Sequence, residues 1–132
     1  MIALDTNVVV RFLIRDDEKQ SQIVFKRFKQ AEQSGDSFFI PLVVVLETIW
    51  VLESVYKKSH EQILDAIEEM LRLKIFRFER DEIIVRVLSD AREGRFDLSD
   101  LIVAHSARSS GCRSAVTFDK GAAKHPFFQL LK

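Results

Sequence analysis

Apolar positions along this chain follow two rhythms that alternate from start to finish. Short, continuously apolar runs read as buried strands: one at 2–5, one near 38–40, KIFRF at 74–78, SAVTF at 114–118 and FFQLL at 127–131. Between them lie stretches with helical periodicity. These predict helices at about 7–14, 17–34, 42–56, 59–73, 81–93 and 96–111. In SHEQILDAIEEMLRL, Ser59 and Gln62 are spaced for a capping box, and Ile63, Leu64, Ile67, Met70 and Leu71 fall on one face. Gly35, Gly94 and Gly111 each follow a helix-like run, where a left-handed turn is expected. Strands that are apolar throughout and alternate with helices imply a parallel sheet covered on both faces. In such sheets function gathers beyond the carboxyl ends of the strands.

Composition narrows the class. The 132 residues, 47% of them hydrophobic, suit one compact domain spanning 1–132 with a real core. Twenty basic and twenty acidic residues cancel, which argues against wholesale electrostatic binding of nucleic acid but permits a local basic patch. Cys112 is the only cysteine, so the chain can form neither an internal disulfide nor a cysteine-cluster zinc site. A lone cysteine fits a reducing cytosol. No signal-type N-terminus and no membrane-length apolar run is present, so a cytoplasmic protein is expected.

Four acids interrupt this pattern. Asp5 ends the first strand, and Asp119 follows SAVTF in the same way. Asp100 stands in the first turn of a helix, with Asp97 three residues before it at the cap position. Glu47 lies inside LVVVLETIWVLE, with Val43, Val44, Trp50 and Val51 one turn away, and reads as a buried carboxylate needing a partner or an ion. Each acid alone has an ordinary explanation. Asp5 and Asp97 can cap helices, Asp100 can answer a helix dipole, Asp119 can turn the chain, and Glu47 can pair with a cation. Taken together, two strand ends and two helices can deliver four carboxylates to one pocket. Gathered like charges require a compensating cation, and an oxygen-only donor set suits Mg²⁺ or Mn²⁺. His60, His105 and His125 show no ligand spacing, and His105 reads as a packed helical residue. Val9, Phe12, Phe25 and Trp50 read as core.

In order and spacing, IALDTNVVVRFL, PLVVVLETIWVLES, FDLSDLIVAHSAR and AVTFDKGAAKHPFFQLL resemble the PIN-domain ribonucleases, in particular the VapC-type toxins of toxin–antitoxin pairs. The resemblance spans essentially the whole chain. It implies a three-layer α/β/α sandwich with a central parallel sheet. It also implies that Asp5, Glu47, Asp100 and Asp119 are the catalytic, metal-binding acids. Thr6 and Asn7 fill the places of the hydroxyl and amide beside the first aspartate, Thr117 precedes Asp119 by two, and Asp97 is auxiliary. Further implications are RNA as substrate, a small antitoxin lying over the active site, and a homodimer.

The chemistry this predicts is hydrolysis of RNA phosphodiesters by water with Mg²⁺ or Mn²⁺. Arg11, Arg15, Lys120 and Lys124 lie nearest the motif acids in sequence and are candidate RNA contacts. Two alternatives stand beside it. One is a non-catalytic module whose acids bind an ion or a basic partner. The other is a DNA-directed nuclease, since carboxylate–metal chemistry does not itself choose the sugar.

Overall fold

A computed structural model describes residues 1–132. The chain forms two compact units, Met1–Asp81 and Glu82–Lys132.

The first unit runs β1 (Ile2–Ala3), α1 (Thr6–Leu13), α2 (Glu18–Ser34), β2 (Phe38–Ile40), α3 (Leu42–Ser54), α4 (His60–Arg72) and β3 (Phe76–Phe78). Its strands lie in the order β1-β2-β3 and are all parallel, with Ile2 opposite Phe38 and Phe38 opposite Phe76. Local chemistry sets the helix ends. Asp17 caps α2 by accepting from the Gln20 amide, and Gly35 ends it in the left-handed region at φ 72°. Ser59 and Gln62 form the expected capping box on α4. Phe28 is buried, and its ring lies 5.3 Å from Phe12, 5.0 Å from Phe38 and 5.4 Å from Phe76, tying α1 and α2 to the sheet. Val9 is buried and Phe12 and Phe25 are half-buried, as core residues should be. Trp50 is not core: it is 61% exposed on α3, because α3 turns Val44, Val45, Ile49 and Leu52 inward instead.

The second unit runs α5 (Asp81–Glu93), α6 (Leu98–Ser109), β4 (Ala115–Thr117), a 3₁₀ turn at Ala122–Lys124 and β5 (Phe128–Leu130). β4 and β5 are parallel, with Ala115 opposite Phe128. The short 3₁₀ turn makes the crossover between them. Beneath it, Ala104 of α6, Ala122, Phe127 and Phe128 form a buried cluster. The helix expected at 96–111 is shorter, because Asp97 takes an extended backbone and caps it, leaving Phe96 outside. Gly94 also departs from expectation. Gly35 and Gly111 have positive φ, but Gly94 does not. Gly94 is required for space: a Cβ there would lie 2.8 Å from the Phe96 ring.

Phe28→Ala removes the ring on which the Phe12, Phe38 and Phe76 contacts converge. It should destabilise the protein by about 3–5 kcal/mol, read from denaturant unfolding midpoints at constant slope.

Candidate active site

In the first unit the end of β1 and the start of α1 form a single turn. Asp5 is the N-cap, and its Oδ1 accepts from the Thr6 amide at 2.8 Å. Thr6 is buried, and its Oγ1 donates to Glu47 Oε1 on α3 at 3.1 Å. Thr6 therefore connects both expected acids of this unit, its amide to one and its hydroxyl to the other. Asn7 is exposed in the first turn of α1. Glu47 is not the buried carboxylate its apolar surroundings suggested. It is exposed, and Val43 and Trp50, one turn away on either side, are 59% and 61% exposed. The apolar run supplies a buried face and a partly apolar outer face at once, and Glu47 stands on the outer one.

In the second unit Asp97, Asp100 and Asp119 line one cavity of about 460 Å³. Asp97 Oδ1 accepts from the amides of Ser99 at 2.8 Å and Asp100 at 3.4 Å. Asp119 Oδ1 accepts from Gly121 at 2.7 Å and Ala122 at 3.2 Å, while its own amide donates to Thr117 Oγ1 at 3.0 Å. Burial, followed by the charges of Asp97 and Asp119, pushes the Asp100 carboxyl above its ordinary pKa. The same device recurs in both units. Asp5, Asp97 and Asp119 each commit Oδ1 to backbone amides, and Glu47 commits Oε1 to a hydroxyl. The second oxygen of each makes no hydrogen bond and remains available as a ligand. In the second unit the oxygen donors of Asp97, Asp100 and Asp119, left uncompensated at Asp100, fit a hard divalent ion.

The candidate cations behave differently from one another. Arg11 is engaged: Nη1 bonds Asp16 and the Tyr56 hydroxyl, and Nε donates to Gln20 at 2.8 Å. The Tyr56 bond, ahead of nearby acids, raises its pKa. Arg15 lies over the Phe25 ring at 4.2 Å. Lys120 is exposed beside Asp119, and Lys124 lines the acid cavity. Arg95, which sequence proximity did not single out, lines that cavity too.

Sequence spacing also gave no sign of a second cluster. Asp90 Oδ2 meets His105 Nε2 at 2.6 Å and His125 Nε2 at 3.1 Å, across 15 and 35 residues of chain. The three ligand atoms lie within 4.8 Å of one another, so a metal site has to be considered. The proton positions argue against it. His125 Nδ1 accepts from the Phe127 amide at 3.1 Å, which leaves the neutral ring's proton on Nε2, facing Asp90. A metal-bound histidine needs the reverse, a free Nε2 and a donating Nδ1. His105 Nδ1 is buried with no partner, so it too lacks the acceptor a ligand tautomer would require. Both rings instead donate to one carboxylate. The cluster ties α5 to α6, which Asp97 caps, and to the end of the crossover, whose first turn Asp119 holds. Burial would raise the Asp90 pKa, but the bonds from His105 and His125 outweigh it and the carboxyl sits below its ordinary value.

The PIN-domain family profile matches residues 2–127. The chain belongs to the PIN-domain family, and its fold class is that family's α/β sandwich. It is also 30% identical over 129 residues to the VapC ribonuclease of Aquifex aeolicus (strain VF5), a match covering 96% of this chain and 93% of that protein. The likeness to VapC thus extends along the whole chain. No helix is long and apolar enough to cross a membrane.

Because the Asp90 pKa is depressed on folding, its contribution to stability is complete above the unfolded value, near 3.8, and is lost as pH falls through the lower folded value. Asp90→Leu should therefore unfold well below wild type at pH 7. The difference should narrow as pH drops below about 4, in thermal melts across a pH series.

Proposed function

We propose that the chain is a metal-dependent endoribonuclease and acts as the toxin of a toxin–antitoxin pair. The observation that carries this reading is that Asp5, Glu47 and Asp119 each have one oxygen anchored by an uncharged donor and the other left free, while Asp100 lies uncompensated beside Asp119. In this reading both units form one nuclease domain, and Asp5, Glu47, Asp100 and Asp119 hold the ion. Mg²⁺ is the expected ion, with Mn²⁺ as substitute. The ion supplies an activated water and counter-charge for the departing oxygen. The protein's own share is positional. Thr6 fixes Asp5 and Glu47, Thr117 and the Gly121 and Ala122 amides fix Asp119, and Asp97 orients the α6 terminus that carries Asp100. In this reading the attacking group is water, and the Thr6 hydroxyl is committed to Glu47. RNA as substrate is supported by the likeness to the Aquifex VapC ribonuclease.

The same likeness supports a small antitoxin. A lysine or arginine of that partner, placed among the acids, would replace part of the ion's charge and exclude RNA. The exposed Val43 and Trp50 offer apolar area for a homodimer. Cys112, exposed and free, suits the reducing cytosol.

Asp5→Asn keeps shape but removes ligand charge. It should lower cleavage of single-stranded RNA in Mg²⁺ by at least about a hundredfold with an unchanged circular dichroism spectrum. Wild-type rates in this variant would exclude Asp5 from the site. Cleavage of DNA but not RNA would make the chain a DNA nuclease, and no cleavage of either would leave a binding module.

Asp100 has a raised folded pKa, so it favours the folded state at low pH and weakens it as pH rises to neutrality. In EDTA at pH 7, Asp100→Asn should melt above wild type. Saturating Mn²⁺ should reverse the order, since an ion at one hundred times its Kd adds about 2.7 kcal/mol to a protein that binds it. The same order of melting in both conditions would contradict a metal role for Asp100.

A further inference from the structure

The cavity holding Asp97, Asp100 and Asp119 contains more than acids. Arg95 and Lys124 line it as well, yet neither makes an ion pair with those carboxylates. Two cations beside three acids, and bonded to none, keep their charge for something that enters. Phe96 also lines the cavity. Its ring is half-buried and held in place from two sides. It rests on Gly94, where even a methyl group would approach to 2.8 Å, and the His125 ring stands against it edge-on at 4.9 Å. His125 is in turn fixed by Asp90 and by the Phe127 amide. A ring with neighbours on two sides has fewer rotamers to lose when a base stacks on it.

We propose that this cavity is a nucleotide subsite for single-stranded RNA, in which a base stacks on Phe96 while Arg95 and Lys124 hold the adjoining backbone phosphates. The assignment rests on the ribonuclease reading of the acids beside it. Its chemistry is that of a single strand, because only an unpaired base can turn its face to a ring. The subsite thus adds a preference for unpaired nucleotides next to the cleaved bond, which the carboxylates alone cannot provide.

Stacking and charge leave different signatures, and the test uses both. Binding of a fluorescein-labelled single-stranded RNA is measured in Mg²⁺ across a salt series, in the Asp5→Asn background to prevent turnover. Phe96→Leu should weaken binding by about tenfold or more, with the salt slope unchanged. Arg95→Gln and Lys124→Gln should each flatten the slope of log K against log salt by about 0.7. Lys26→Gln, on the exposed side of α2, should leave the slope alone. Phe96→Trp keeps the platform and should bind as wild type, with tryptophan emission quenched by the single strand and not by its duplex. Because this variant retains an aromatic face, it keeps the proposal testable even if Phe96→Leu misfolds. Unchanged affinity in Phe96→Leu, an unchanged slope in both cation variants, or equal quenching by duplex would overturn the subsite. Cleavage by the wild-type chain, assayed on the same RNA, separates that outcome from failure of the ribonuclease reading itself.

Discussion

A carboxylate that stands near other carboxylates has to be held, and here backbone amides and one threonine hydroxyl do so without a cation. This constraint organises the site. Helix starts and tight turns are the places where amides lack intrahelical partners. The acids accordingly sit at the cap of α1, at the cap and first turn of α6, and in the turn after β4. Each amide takes one oxygen and leaves its twin. Had arginines or lysines done the holding, the charge that attracts an ion would be neutralised. The free oxygens are useful because their anchors are uncharged.

The second unit shows how such turns are kept in register. Asp90 belongs to no motif and makes no direct contact with the cavity acids. It nevertheless receives two histidine donors on a single oxygen, one from α6 and one from the end of the crossover. The two acid-bearing segments are thereby referred to one point on α5. His105 and His125 are buried, so these bonds are not diluted by water.

The alternation of strands and helices was readable because each element states its own periodicity. The capping box at Ser59 and Gln62, and Asp97 as a cap, were readable because both ends of each bond lie within one turn. What failed to show was non-local. A run such as LVVVLETIWVLE does not say which of its faces is covered; its apolar neighbours point to a buried Glu47, and the fold exposes it. Asp90, His105 and His125 are scattered through the second unit, so no spacing announces their meeting. Gly94 was read as a left-handed residue from its place after a helix. Its actual role, clearing space for a ring two residues on, depends on where that ring packs.

Glu47 on its half-apolar outer face has a consequence for whatever meets α3. Val43 and Trp50 flank it one turn away on either side, so a surface large enough to cover both also closes over the carboxylate. A purely apolar surface would strip water from the charge and put nothing in its place, a loss of several kcal/mol. A surface carrying a guanidinium or ammonium group at the right spot would offset that loss with an ion pair. The acid therefore works as a password on an otherwise greasy strip, admitting cation-bearing company and turning away indiscriminate hydrophobic contact.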